Sequence, residues 1–158
     1  MNPAQALGLR DLLATQTIAS LGTLHEGEPL VSMVPFALLP GGTDFLVHVS
    51  QLSAHTKDLL AHPQVSLLVI APPRPEVPAQ ATARVTMQGL ATQLPVSAPE
   101  HAAAKQAYLA RFPASATMFD LGDFSLFALR PRSLRFIGGF GQALTLTPEQ
   151  LATALGQG

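Results

Sequence analysis

The N-terminal third of the chain alternates short β-prone segments with clusters of turn-forming residues, and this alternation restricts the fold most strongly. Residues 17–24 (TIASLGTL) and 30–39 (LVSMVPFALL) are separated by His-Glu-Gly-Glu-Pro, and residues 44–50 (DFLVHVS) follow Pro-Gly-Gly-Thr. Connections this short usually join neighbouring antiparallel strands, so we expect a meander here. Pro35 cannot donate a ladder hydrogen bond, which predicts a position at a sheet edge or a bulge.

Further strand patterns follow in the rest of the chain. Residues 65–70 (VSLLVI) are almost entirely apolar, which predicts a strand covered on both faces. Residues 81–94 alternate polar and apolar side chains until Gly89, which indicates a bulge. Residues 124–129 and 133–137 predict a final pair of strands joined across the intervening Arg-Pro-Arg turn.

Helical patterns flank the strands rather than alternate with them. The last pattern has a complete capping box, because Thr147 can cap the helix, Pro148 suits its first turn and Gln150 can reach back. The others are residues 4–16, a short segment that starts at Ser53, residues 100–111 and residues 114–120. This order predicts a mainly β fold with peripheral helices, an antiparallel closed or split barrel that forms a single domain over residues 1–158.

Composition indicates an assembly of more than one subunit. Hydrophobic residues make up 47% of the 158 residues and charged residues only 12%, which leaves little polar surface for a lone monomer. The net charge is −1 and there is no basic run, so a nucleic-acid partner is not expected. Without cysteine, a signal-peptide pattern or a membrane-length apolar run, the sequence predicts a cytoplasmic protein with no membrane partner.

One helix start, within residues 50–71, has the features of an anion-binding site. Ser53 is suited to cap the helix, and Ser50 and Thr56 add hydroxyls near the free backbone N–H groups of the first turn. Lys57 follows at the positive end of the helix dipole, where a cation is unfavourable by about 0.3–1 kcal/mol. The alternative interpretation is an ordinary capped surface helix with a solvated lysine.

Other chemistry-bearing residues form weaker patterns. The five histidines lack metal-binding spacing, so no metal site is expected, and most of them are interpreted as surface or helix-end residues. His55 is the exception of interest, because it lies in the proposed anion-binding turn. The glycines of residues 138–141 do not complete a dinucleotide fingerprint. Arg84, in a small apolar strand, needs solvent, an ion-pair partner or a ligand phosphate. Since no nucleophile–base pattern is present, any catalysis would depend on a bound cofactor.

Six segments together point to a known family: LVSMVPF (30–36), SAHTKDL (53–59), HPQVSLL (62–68), RVTMQG (84–89), FSLF (124–127) and RFIGGFGQA (135–143). They resemble the FMN-binding split barrels related to pyridoxamine 5′-phosphate oxidase. The last two segments resemble more particularly the branch that contains the heme-utilisation proteins of the HugZ/HutZ type. The similarity extends over residues 9–146, nearly the whole chain.

The resemblance implies a homodimer of six-stranded split barrels that binds FMN at the subunit interface. Part of the strand at residues 30–39 would lie along the flavin ring, the Ser53 turn would surround the ribityl phosphate, and a charge would come from a neighbouring strand. The cofactor-binding residues implied in this way are Ser32, Met33, Val34, Pro35, Ser50, Gln51, Ser53, His55, Thr56, Lys57 and Arg84.

Three functional hypotheses follow. The first is an FMN-binding flavoprotein, a small oxidoreductase that acts on a small-molecule substrate. The second is a heme-binding or heme-degrading protein of the HugZ/HutZ type, and the third is a cofactor-free dimeric binding module. Two departures bear on them: the oxidases carry an Arg-Lys pair where this chain has Ala54 and His55, and the C-terminal region that contributes to heme sites in the HugZ/HutZ proteins is not matched here.

Overall fold

The computed structural model describes residues 1–156 and contains one antiparallel sheet of eight strands with five α-helices around it. The strands are β1 (Ile18–His25), β2 (Glu28–Pro35), β3 (Ala37–Leu38), β4 (Phe45–Ser50), β5 (Gln64–Ile70), β6 (Arg84–Gln93), β7 (Phe124–Ile137) and β8 (Ala143–Leu146). The helices are α1 (Pro3–Thr15), α2 (Ala54–Ala61), α3 (His101–Arg111), α4 (Ala116–Phe119) and α5 (Pro148–Ala154). The mainly β class is confirmed, although the short strands β3 and β8 bring the number to eight where six are expected.

The sheet curls into a split barrel whose two edge strands are consecutive in the chain. Its strand order is β2-β1-β5-β6-β7-β4-β3, with β8 paired to β7. Pro35 ends the edge strand β2, as expected for a residue without an N–H group, and the fully buried Phe36 then leads into the opposite edge, β3. The expected meander is therefore wrong. β1 and β2 form a hairpin, but β4 pairs with β7, because the chain turns into the core at Phe36.

A bulge opposite a proline joins the middle of β6 to β7. The register of the pair shifts between Gln88 and Gly89, so that Gly89 faces Pro131. A proline is tolerated here because the ladder is already interrupted at a bulge. The prediction of two strands separated by a turn around Pro131 is wrong for this reason: β7 runs unbroken from Phe124 to Ile137. The predicted bulge at Gly89 is confirmed.

Helices cover the two sides of the sheet unequally. Buried leucines of α1 and α5, among them Leu9, Leu13 and Leu151, pack on the inner face of the barrel. Helix α3 covers the opposite side of β3, β4 and β7 through Ala104 and Tyr108. As a result β4 is the strand buried on both faces. The same prediction for β5 is wrong, because no helix covers its second face.

The part of the outward side of the sheet that α3 leaves uncovered, here called the outer face, is rich in apolar side chains. Ile18 of β1, Val31 and Met33 of β2 and Ile70 of β5 are all exposed there, Ile70 by 47% and Met33 by 59%. A patch of this kind is typical of a surface that meets another protein. Within residues 1–156, no helix is long and apolar enough to cross a membrane.

Candidate cofactor-binding site

The turn between β4 and α2 is built by its own backbone and hydroxyl groups. The carbonyl of Ser50 accepts hydrogen bonds from the Ser53 N–H (3.1 Å) and from the Thr56 hydroxyl (2.6 Å), and the Ser50 hydroxyl accepts from the Leu52 N–H (3.2 Å). Thr56 is completely buried, so its hydroxyl stabilises the turn from inside. Two of the predicted phosphate hydroxyls, those of Ser50 and Thr56, therefore already take part in hydrogen bonds within the protein.

The first turn of α2 keeps the free donors that an anion needs. Ser53 is the N-cap residue, but the prediction that its hydroxyl caps the helix is wrong, since no cap hydrogen bond forms. In the part of the chain that the structure describes, the backbone N–H groups of Ala54 and His55 have no acceptor. Lys57 is exposed one turn further on. Burial lowers the pKa of His55, with a smaller opposing effect from the negative charge of Asp58, so His55 is neutral near pH 7. The ammonium of Lys57 thus supplies the positive charge of this turn.

A buried carboxylate holds α2 against the sheet. Asp58 accepts a hydrogen bond from the Thr23 hydroxyl at 2.9 Å and lies 2.7 Å from Nδ1 of His25, both on β1. Asp58 lies in the second turn of α2 and points inward. This contact therefore fixes the position of the first turn of α2 relative to the sheet. The sequence contained no signal for it, since the partners lie 33 and 35 residues away.

The four residues predicted along the flavin ring divide between two faces of β2. Ser32 and Val34 face the interior, whereas Met33 and Pro35 face outward. The hydroxyl oxygen of Ser32 is fully enclosed. Among the described residues, it is the one enclosed side-chain polar atom that has no hydrogen-bond partner. A planar ligand beside this strand would therefore contact its edge and its outward side chains rather than all four residues.

Gln51 and Arg84 lie apart from the first turn of α2. The amide of Gln51 turns toward β7, where its Nε2 donates to the Ser125 hydroxyl at 3.3 Å. Arg84 donates to the carbonyls of Gln80 (3.1 Å) and Thr82 (2.8 Å) and pairs across the ladder with Ile70. Helix α2 ends just before β5 begins, whereas Arg84 pairs with the last residue of β5. The length of β5, about 20 Å, therefore separates Arg84 from the end of α2. Within one chain, the structure does not bring Arg84 to the turn.

A groove of about 530 Å³ crosses the outer face from β2 to β7. Gly22 of β1 lies in its lining without a side chain, and Leu24, Pro29 and Val31 add apolar surface. Arg132 is the cation of the lining, and in the described part of the chain it forms no ion pair. The groove, here called the outer groove, thus combines an apolar surface with one positive charge.

Comparison with known proteins assigns the family. The family model described as pyridoxamine 5′-phosphate oxidase matches residues 8–138. The chain belongs to this family. The predicted recognition is confirmed, and relatives at 38% and 33% identity have names that refer to heme.

Two curated relatives and one solved structure illustrate this branch. The chloroplastic heme oxygenase HOZ of Arabidopsis thaliana is 38% identical over 126 residues, which are 80% of this chain and 37% of HOZ. The heme oxygenase HutZ of Vibrio cholerae is 28% identical over 127 residues, 80% of this chain and 71% of HutZ. A heme binding protein from Mycobacterium smegmatis superposes with a TM-score of 0.84 at 33% identity, covering 97% of this chain and 62% of that protein. The chain spans less than two thirds of HOZ and of the Mycobacterium protein.

Proposed function

We propose that this protein binds heme in the outer groove. The observation that carries the proposal is the identity of 38% to a heme oxygenase and 33% to a heme binding protein, each over most of this chain. The alternative hypothesis from the sequence, a heme-binding protein of the HugZ/HutZ type, is thus better supported than the flavoprotein hypothesis. The wider activity of those longer relatives, including heme degradation, remains part of this proposal.

The chemistry of the outer groove suits a porphyrin. A flat macrocycle needs an extended apolar surface, and the bare backbone at Gly22 lets a planar ring approach the sheet closely. A propionate needs a cation, which Arg132 would supply. None of the described residues that line the groove is a histidine. His62, exposed two residues before the lining residue Gln64, is the histidine that would hold the heme iron.

Hemin titration of the purified protein tests this proposal. We expect a saturable Soret change, with at least about tenfold weaker binding after Gly22→Leu, which fills the groove, and after Arg132→Ala. Gly122→Leu and Arg74→Ala are matched controls, because a Cβ atom added at residue 122 would meet nothing within 4 Å and Arg74 is an exposed loop residue. His62→Ala should shift the Soret maximum. Saturable hemin binding whose affinity is the same in the wild type, Gly22→Leu and Arg132→Ala would contradict the assignment to this groove.

FMN is the second candidate, supported by the free N–H groups of Ala54 and His55 beside Lys57. The phosphate of FMN would bind this turn, and the bound flavin would supply the redox chemistry of a small oxidoreductase. Arg84 would reach that phosphate only from a second copy of the chain. A homodimer with a shared site is therefore part of this candidate.

Reconstitution with FMN tests the second candidate. Lys57→Ala should weaken FMN binding by about tenfold, whereas Lys105→Ala, on α3, should leave it unchanged. A protein that takes up neither FMN nor hemin would leave the cofactor-free dimeric binding module as the remaining hypothesis. The visible spectrum after each titration distinguishes the three hypotheses.

A further inference from the structure

The strand pairing fixes which residues form the floor of the outer groove. Residues that pair directly across neighbouring strands lie on the same face of the sheet. One such row of paired residues crosses β2, β1, β5, β6 and β7, and all its members line the groove: Val31, Gly22, Ser66, Gln88 and Ser133. Because neighbouring strands lie about 4.8 Å apart, the row is about 19 Å long from β2 to β7. The groove is thus long enough for a planar macrocycle to lie across the strands.

The bulge between β6 and β7 places two consecutive residues of β7 at one end of this row. The pairing passes from Pro131 to Ser133 between consecutive residues of β6, so Arg132 is the extra residue of the bulge. Regular alternation would point Arg132 and Ser133 to opposite faces of the sheet. Instead, both line the groove, whereas Pro131 and Leu134 on either side of them are buried. The bulge therefore brings a guanidinium and a hydroxyl side by side.

The β7 end of the groove offers hydrogen-bond donors that the described residues do not use. Within residues 1–156, the side chains of Arg132, Ser133 and Gln88 form no hydrogen bond with another group of the protein. The guanidinium, the hydroxyl and the amide can all donate. No aspartate or glutamate is among the described residues of the lining. This end of the groove is therefore suited to an anion.

The opposite end of the groove, on β1 and β2, is apolar. Leu24, Pro29 and Val31 line it, and Val31 is 70% exposed. Gly22 lies between the two ends, yet a Cβ added there would meet Ser66 Cβ at 3.5 Å, an ordinary contact. Its φ is not positive, and β1 pairs without a bulge. A glycine inside such a strand is typical of a place where a ligand approaches the backbone closely.

We propose that the bulge forms a carboxylate clamp, in which Arg132, Ser133 and Gln88 bind the acidic edge of a planar tetrapyrrole whose apolar edge lies over β1 and β2. This inference rests on the proposed function and adds the orientation and the selectivity of the ligand. A guanidinium beside a hydroxyl makes charge-assisted hydrogen bonds to a carboxylate, and these are the stronger ones.

The clamp selects tetrapyrroles that carry both carboxylates on one edge, as protoporphyrin IX does. A tetrapyrrole with carboxylates on every edge is disfavoured, because a carboxylate placed against Val31 and Pro29 loses water without gaining a partner. A tetrapyrrole without free carboxylates leaves the clamp empty. The two ends of the groove thus read opposite edges of the same ligand.

Fluorescence titration with iron-free protoporphyrin IX tests the clamp without depending on an iron ligand. We expect saturable binding of this diacid and at least about tenfold weaker binding of its dimethyl ester, which keeps the ring but loses both negative charges. Uroporphyrin, which carries carboxylates on every edge, should also bind at least about tenfold more weakly than the diacid.

Two variants assign the selectivity to the bulge. Ser133→Ala and Gln88→Leu should each weaken binding of the diacid by at least about fivefold, as expected for the loss of a hydrogen bond to a charged group, and should not weaken binding of the ester. Ser97→Ala and Gln106→Leu make the same substitutions at exposed positions outside the groove and should bind the diacid normally. Far-ultraviolet circular dichroism checks the fold of each variant.

The ester separates this inference from the proposed function. An ester or a uroporphyrin that binds as tightly as the diacid would overturn the clamp even where hemin binds in the groove. Diacid binding that survives both Ser133→Ala and Gln88→Leu would do the same. Conversely, binding that is selective for the diacid and weakened by both variants supports the clamp even where hemin titration gives no Soret change. No saturable binding of the iron-free diacid would overturn it.

Discussion

At the scale of single residues, the contact between His25 and Asp58 decides how α2 meets the sheet. Asp58 is almost completely buried and binds two side chains of β1, so the charge on it has partners rather than solvent. The hydrogen bond to Asp58, followed by its negative charge, raises the pKa of His25 above 6.5. Protonated His25 and Asp58 thus form a pair that depends on pH.

Asp58→Asn should return the pKa of His25 toward 6.5, as measured by NMR titration of its ring. Because the folded-state pKa of His25 is raised, its contribution to stability is complete below pH 6.5 and is lost as the pH rises through the raised value. The wild type should therefore lose stability over that window and the variant should not. Asp11→Asn, at an exposed position on α1, should leave the titration of His25 unaltered.

Gly89→Ala should destabilise the protein by about 3 kcal/mol. A Cβ atom at residue 89 would lie 2.0 Å from the carbonyl oxygen of Arg130, which is backbone and cannot rotate away. Gly122→Ala is the matched control, since nothing lies within 4 Å of its added Cβ, and it should stay within about 0.5 kcal/mol. Denaturant unfolding measures both free energies; equal midpoints for the two variants would contradict the tight contact at the bulge.

At the scale of elements, α3 joins separate parts of the fold. Its last residue, Arg111, donates to the carbonyls of Leu13 (3.1 Å), Ala14 (3.2 Å) and Gln16 at the end of α1. The same guanidinium lies 5.0 Å from the ring centroid of Phe36, the residue that links the two sheet edges. One side chain therefore connects α3, α1 and the opening of the barrel.

Arg111→Ala should lower the free energy of unfolding by about 2–3 kcal/mol, because charged hydrogen bonds to three backbone carbonyls, two of them partly buried, are lost together. Arg111→Lys should recover only part of this, since an ammonium cannot reproduce the planar fork of donors. Arg74→Ala, at an exposed pair with Glu76, should change stability by less than about 0.5 kcal/mol. A full recovery by lysine would show that charge alone matters at this position.

At the scale of the whole molecule, the outer face is the main surface that no helix covers. Its exposed apolar residues agree with the low charge content that led us to expect a second subunit. A dimer through this face would also bring Arg84 of one copy toward the other copy. The homodimer stays a prediction, and the oligomeric state in solution tests it.

Met33→Glu should convert the dimer to a monomer, because it places a charge among the exposed apolar residues of the outer face. Leu121→Glu, at an exposed apolar residue before β7, should remain dimeric. Analytical ultracentrifugation of both variants and the wild type measures the mass directly. A wild type that is monomeric at micromolar concentration, or a dimer unaffected by Met33→Glu, would place any interface elsewhere.

The first turn of α2 was accessible to sequence reasoning because it is local, whereas the outer groove contains none of the residues predicted from the sequence. The short α2 helix, the exposed Lys57 and the bulge at Gly89 depend on neighbouring residues, and local patterns report such features well. The positions of Gln51 and Arg84 did not follow from local patterns. Both depend on how strands far apart in the chain are ordered across the sheet.

The sequence by itself determined the mainly β class, the helix ends at Ser53 and Thr147 and the family, since these depend on local patterns and motifs. Only the tertiary structure decided that β4 rather than β5 is covered twice, that His48 is buried and that Asp58 anchors α2. The physical reason is that burial and ion pairing arise between residues distant in sequence. Which face of a strand becomes covered depends on where a helix such as α3 packs. The pattern of residues within the strand does not predict that position.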